Sequence, residues 1–104
     1  MNGVLLGVLK EELERNLQKQ RIFINEFAKY PNGSLCVVRI HGDKYIYRKY
    51  RDGKKIISKY IGVANSESAN EAYKEREKYL KLKQDIKELK KEEIELRNVL
   101  EKYA

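Results

Sequence analysis

The chain has 104 residues, enough for about one small domain, with 38% charged residues, a formal net charge of +7 and a mean hydropathy of -0.76. Its single cysteine and single histidine exclude an internal disulfide and an ordinary zinc site. No apolar run is long enough to span a bilayer, and the run at residues 4–9 is too short for a secretory signal. We therefore expect a basic cytoplasmic protein of one domain, residues 1–104, that holds no metal and no cofactor.

The first predicted element is a helix over residues 3–29. Apolar side chains recur there at helical spacing, and Gln20 occupies the one missing position of the stripe. The stripe comprises Leu6, Leu9, Leu13, Leu17, Ile24 and Phe27. Pro31 and the pair Asn32-Gly33 favour a turn directly afterwards, so the helix should stop before them.

Residues 34–62 predict a three-stranded antiparallel meander. Three runs rich in Val, Ile and Tyr, at 35–41, 44–51 and 54–61, are separated by Gly42-Asp43 and Asp52-Gly53. Short turn-forming pairs between such runs are typical of consecutive hairpins.

Two-residue loops at these pairs sort the side chains onto two faces, and moving the first loop to His41-Gly42 leaves the faces unchanged. The tyrosine face collects Cys36, Val38, Ile40, Tyr45, Tyr47, Ile56, Ser58 and Tyr60, with Lys49 at its margin. The basic face collects Leu35, Val37, Arg39, His41, Lys44, Ile46, Arg48, Tyr50, Lys55, Ile57, Lys59 and Ile61. We expect the largely apolar tyrosine face to pack on a helix, with Cys36 as a small core residue. The basic face is the predicted binding surface, although Ile46, Ile57 and Ile61 would be unusual on a fully exposed face, so a partner or a second helix could cover it.

The excess positive charge is concentrated in this sheet. Residues 34–62 carry eight basic and two acidic residues, net +6, whereas residues 1–33 have a net charge of +1 and residues 63–104 a net charge of zero. Such clustering exceeds what solubility requires and favours an anionic partner. Edge protection by lysine is the structural alternative.

The last predicted element is a long helix over residues 67–103. Ser68 to Glu71 fits a capping box, with Ser66 as a competing cap. The heptad positions a and d then hold Tyr79, Leu82, Ile86, Leu89, Leu96 and Leu100, together with Glu93 and Tyr103. Glu93 could specify the register, pair with a Lys or Arg of the partner, or mark where the seam opens to solvent. We expect this seam to pair with the first helix as an antiparallel coiled-coil hairpin, or to form a homodimer.

The predicted fold class is therefore α+β, in the order α-β-β-β-α. Residues 44–62, which end in Lys-Tyr-Ile-Gly, resemble tyrosine-rich hairpins of small bacterial proteins and of the start of some transposases. The order of three strands and a helix is also similar to the arm-type DNA-binding domain of tyrosine recombinases. This resemblance implies a sheet that docks in the major groove, and by position it implies roles for Arg39, Arg48 and Lys59.

Together these features predict a non-catalytic nucleic-acid-binding protein, with DNA favoured over RNA. The predicted contact residues are Arg39, Arg48, Lys59, Lys44, Lys55 and Tyr50. The alternative function is a coiled-coil interaction or oligomerisation module. No combination of residues typical of a catalytic site is present, so we expect no enzyme activity.

Overall fold

The structure is a computed structural model that describes residues 3–103. It contains α1 (Gly3–Phe27), β1 (Ser34–Ile40), β2 (Asp43–Asp52), β3 (Lys55–Val63) and α2 (Glu67–Tyr103). This α+β order confirms the predicted fold class. The described residues form two compact units, a helical unit (3–29 and 81–103) and a sheet unit (30–80), and α2 contributes to both.

The first helix ends at Phe27, two residues earlier than predicted. Its last turn tightens, because the amide of Lys29 donates to the carbonyl of Glu26 at 3.1 Å, three residues back. Pro31 then prevents continuation, since the residue before a proline is disfavoured in the helical conformation.

The two hairpin turns lie one residue away from their predicted positions. The first turn is His41-Gly42, where both residues have positive φ (50° and 85°), as a type I′ turn requires. The second turn is Gly53-Lys54, with a φ of 62° at the glycine. The predicted turns at Gly42-Asp43 and Asp52-Gly53 are therefore wrong, and the alternative first turn at His41-Gly42 is confirmed.

The sheet has the order β1-β2-β3, and both registers are offset from the predicted ones by two residues. Tyr47, for example, lies opposite Cys36 on one side and opposite Tyr60 on the other. An even offset leaves each side chain on its predicted face, because strand side chains alternate with a period of two. A β-bulge between Ile46 and Tyr47 then shifts the end of β3, so that Gly62 lies opposite Ile46.

The first turns of α2 cover the basic face rather than the tyrosine face. Ile46 on the basic face is 1% exposed, and the helix residues Ala69 and Ala72 are 0% and 5% exposed. These three residues are the buried apolar residues of the described chain. The expectation that the tyrosine face packs on a helix is therefore wrong.

Small residues explain why the helix lies on this side. Gly62 is buried, and a Cβ atom there would lie 2.8 Å from the Oγ atom of Ser66. Ile46 lies opposite Gly62, and a Cβ atom at Gly62 would lie 3.9 Å from the amide nitrogen of Ala69, so the start of α2 approaches the sheet closely at this strand position. Three bulky tyrosines on the other face offer no such close approach.

The helix α2 begins at Glu67, and Ser66 is its N-cap. The Oγ atom of Ser66 accepts a hydrogen bond from the amide of Ala69 at 3.2 Å, and its carbonyl accepts one from Asn70 at 3.0 Å. The competing cap is thus the real one, and the capping box over 68–71 is wrong.

In the helical unit, the half-buried residues of α2 follow the predicted heptad positions from Leu82 to Leu100, whereas Tyr103 is exposed. The stripe on α1 differs from the prediction, because Asn16 is buried and Ile24 is exposed. Side-chain hydrogen bonds join the two helices, as described below. The coiled-coil form of their pairing stays a prediction.

Candidate nucleic-acid interface

Most of the predicted contact residues reach solvent on the basic face. Arg39, Lys44, Lys55 and Lys59 are exposed, and Tyr50 is half-buried. Arg48 differs from the other cations, since its side chain is only 15% exposed. The structure thus leaves four of the five predicted cations available and covers the fifth.

Like charges lie directly opposite each other on the basic face. Arg39 pairs with Lys44 across β1 and β2, and Arg48 pairs with Lys59 across β2 and β3. Like-charged cross-strand pairs destabilise a sheet by roughly 0.2–1 kcal/mol each in the absence of a counter-charge. The arrangement is therefore a local site of positive potential.

Glu75 supplies a counter-charge to only one of these pairs. The Nη2 atom of Arg48 lies 3.8 Å from the Oε2 atom of Glu75, on the helix that covers the basic face. Within residues 3–103, this is the one ion pair that involves a cation of the sheet. The other seven sheet cations have no acidic partner there, and the sequence pattern did not reveal the role of Glu75.

A second arginine of α2 fixes the helix against the start of β1. Arg76 donates a hydrogen bond from Nη1 to the carbonyl oxygen of Gly33, and its guanidinium lies 5.0 Å from the centre of the Tyr79 ring. Gly33 has a φ of 94°, and a Cβ atom there would overlap the backbone of Lys49. These contacts hold α2 across the basic face at the position of Arg48.

The tyrosine face is open, and none of its residues is buried. Tyr60 is 50% exposed, and its ring centre lies 5.3 Å from that of Tyr47 and 6.3 Å from that of Tyr45. Such distances are those of interacting aromatic pairs. Cys36, predicted as a core residue, is half-buried on this face.

One end of the tyrosine face carries positive charge. Lys49 and Arg51 are exposed there, and with Ile56 they line part of a shallow concavity of about 360 Å³. Arg51 lies opposite Ile56 and so belongs to this face. The predicted tyrosine face did not include Arg51. The face therefore combines exposed aromatic rings with neighbouring cations.

A polar cluster lies between the helices of the helical unit. Asn16 and Gln20 are buried, and the Nδ2 atom of Asn16 donates to the carbonyl of Leu89 at 2.8 Å. Gln20 donates to Glu93 at 2.8 Å, and Arg97 donates to the same carboxylate at 2.7 Å. The hydrogen bonds from Arg97 and then Gln20 lower the pKa of the Glu93 carboxyl below its ordinary value of 4.5.

Glu93 pairs with a cation of its own helix rather than with one of the partner helix. Its carboxylate pairs with Arg97 of its own helix and with Gln20 of α1, the residue that interrupts the predicted apolar stripe. The contribution of Asn16 was missed, because the predicted stripe on α1 included the neighbouring Leu17 instead. A stripe that alternates spacings of three and four would have included Asn16.

Among residues 3–103, no group of three or more His, Cys, Asp or Glu side chains is placed to hold a metal ion. In the same part of the chain, neither helix is apolar enough along its length to cross a membrane. Comparison with models of protein families, with curated proteins and with solved structures found no match to this chain.

Proposed function

We propose that this protein binds nucleic acid through its three-stranded sheet and has no catalytic role. The observation that carries this proposal is the exposed pair Arg39 and Lys44, which lie opposite each other without an acidic partner in residues 3–103. A phosphate backbone would supply the missing counter-charge and remove the repulsion within the pair.

The number of free cations supports a polyanion rather than a single anion. Seven exposed basic side chains surround the sheet: Arg39, Lys44, Lys49, Arg51, Lys54, Lys55 and Lys59. Edge protection alone does not account for them, because Lys49 and Arg51 lie on the central strand β2. Phosphate groups repeat along nucleic acid and can engage cations spread over such a surface.

Arg48 has a different proposed role from the one its position in the sequence predicted. With Glu75 beside it and 15% of its side chain exposed, it is suited to hold α2 on the basic face rather than to contact phosphate. The contact set that we propose therefore keeps Arg39, Lys44, Lys55 and Lys59.

The resemblance of residues 44–62 to hairpins of transposases supports DNA as the partner. It extends the proposal to the DNA of bacterial mobile elements, encountered in the cytoplasm. The single histidine and single cysteine of the chain support a binding rather than a catalytic role.

A salt titration tests the proposal. Fluorescence anisotropy with a labelled DNA duplex and with a labelled single strand would give the dissociation constant between 50 and 200 mM salt. Four phosphate contacts with a duplex predict a slope of log K against log salt of about −3.6, which is a loss of affinity of about 150-fold over this range. Undetectable binding to both DNA forms at low salt would contradict the proposal.

A second candidate function is self-association of the helical unit, favoured by its lack of an apolar core. Within residues 3–103, the only residues of this unit that are fully buried are the polar Asn16 and Gln20. The seam from Leu82 to Leu100 is half-buried, and residues 63–104 have no net charge to oppose a second copy. Sedimentation velocity on the full chain should then show a dimer, and a strict monomer at all concentrations would refute this candidate.

A further inference from the structure

We propose that the tyrosine face binds single-stranded nucleic acid, with bases stacked on Tyr60 and Tyr47 and phosphates bound by Lys49 and Arg51. This inference rests on the proposed function. It adds a second contact surface, on the face of the sheet opposite to Arg39, Lys44, Lys55 and Lys59, and with it a preference for single-stranded nucleic acid. Its experiment distinguishes a failure of this preference from a failure of nucleic-acid binding.

The aromatic rings of the tyrosine face are accessible. The Tyr60 ring lies next to the rings of both Tyr45 and Tyr47, and Tyr60 keeps half of its surface exposed. Aromatic rings of this kind normally find apolar cover, and α2 instead covers the opposite side of the sheet at Ile46. A nucleobase offers a flat apolar surface that matches an exposed ring.

Two cations lie on the same face as these rings. Tyr47, Lys49 and Arg51 alternate along β2 and therefore share one face, with about 13 Å between Tyr47 and Arg51. A few nucleotides span this distance, so that one strand can reach both the rings and the cations. The concavity beside Lys49 and Arg51 provides room for part of such a strand.

A single strand fits this surface better than a duplex does. Bases in a duplex are stacked on each other, so their flat surfaces are not available to a tyrosine ring. A single strand presents these surfaces and its phosphates together, which is the combination that the tyrosine face accommodates. The apolar side chains Val38 and Ile56, 37% and 68% exposed, extend the same surface.

The experiment compares labelled 15-nucleotide single strands of DNA and RNA with a duplex of the same sequence, by anisotropy at low salt. We expect tighter binding of a single strand than of the duplex. Tyr60→Leu, which keeps an apolar side chain and removes the ring, should weaken single-strand binding by about 5- to 150-fold, whereas Tyr60→Phe should retain it.

Tyr73→Leu is the matched control, because Tyr73 is a similarly exposed tyrosine (43%) on α2 rather than on the sheet. It should leave the affinity unchanged, and circular dichroism should show that each variant is folded. Equal binding by Tyr60→Leu and the parent chain, or binding to the duplex without preference for a single strand, would overturn this inference alone. Absence of binding to every form would overturn the proposed function as well.

Discussion

Replacement of Ile46 by alanine tests which face of the sheet carries the core. Ile46 is 1% exposed, so truncation removes most of a buried side chain and leaves a cavity in its place. Such substitutions lower the free energy of unfolding by about 2–5 kcal/mol. Ile56→Ala is the matched control on the tyrosine face, where the side chain is 68% exposed. About a third of the Ile56 side chain is covered, so Ile56→Ala should lower the free energy of unfolding by roughly 0.5–1 kcal/mol.

Urea denaturation followed by tyrosine fluorescence suits this comparison, since seven of the eight tyrosines lie in residues 30–80. The free energy of unfolding should fall at least twice as far for Ile46→Ala as for Ile56→Ala. The reverse order would show that the tyrosine face is the covered one, as the sequence alone had suggested, and would refute the packing described above.

Two further predictions concern the ends and the partner groups of α2. Ser66→Ala should lower the free energy of unfolding by about 0.5–2 kcal/mol, while Ser68→Ala should change it by less than about 0.5 kcal/mol, and equal effects would contradict the cap. Glu93 should titrate below 4.5 by carboxyl NMR, because hydrogen bonds from Arg97 and Gln20 stabilise its charged form. The pKa of Glu93 is lower in the folded state than in the unfolded state, so its carboxylate stabilises the fold above about pH 4.5. This contribution is lost as the pH falls through the folded pKa. The difference in free energy of unfolding between the parent chain and Glu93→Gln should therefore shrink in acid. A Glu93 that titrates at or above its ordinary value would refute this.

The order of elements could be predicted from the sequence because local signals decide it. Turn-forming pairs separate three runs of β-branched and aromatic residues, and a long stretch without glycine or proline specifies α2. The face on which each side chain lies was also predictable outside the bulge, since a register offset of two residues leaves the alternation of the strands unchanged.

Which face is covered could not be predicted from the apolar count of each face. The tyrosine face is the more apolar one in sequence, yet α2 packs where Gly62, Ala69 and Ala72 let two backbones approach. That preference depends on the shape of two elements together, which a strand pattern does not contain. The same limitation explains why Arg48 was grouped with the free cations, since its partner Glu75 lies on a helix 27 positions later in the chain.

The polar cluster of the helical unit was predictable in part. Gln20 and Glu93 both interrupt apolar stripes, and the structure joins them by a hydrogen bond of 2.8 Å. Asn16 was missed because Leu17 beside it completed an acceptable helical spacing. A polar residue in the apolar stripe of each of two neighbouring helices thus indicates a buried polar pair. Asn16, the third residue of the cluster, can be predicted only when the stripe on α1 is assigned to the correct positions.

The central claim, that the sheet cations bind nucleic acid, is tested most directly by a matched pair of double variants. Arg39→Gln/Lys44→Gln removes two charges from the sheet, and Lys83→Gln/Lys87→Gln removes two exposed charges from α2. In the salt titration with a DNA duplex, the first variant should reduce the slope of log K against log salt by about 1.8, while the second leaves it unchanged. Equal slopes for both variants would contradict the claim, because binding would then depend on net charge rather than on the sheet.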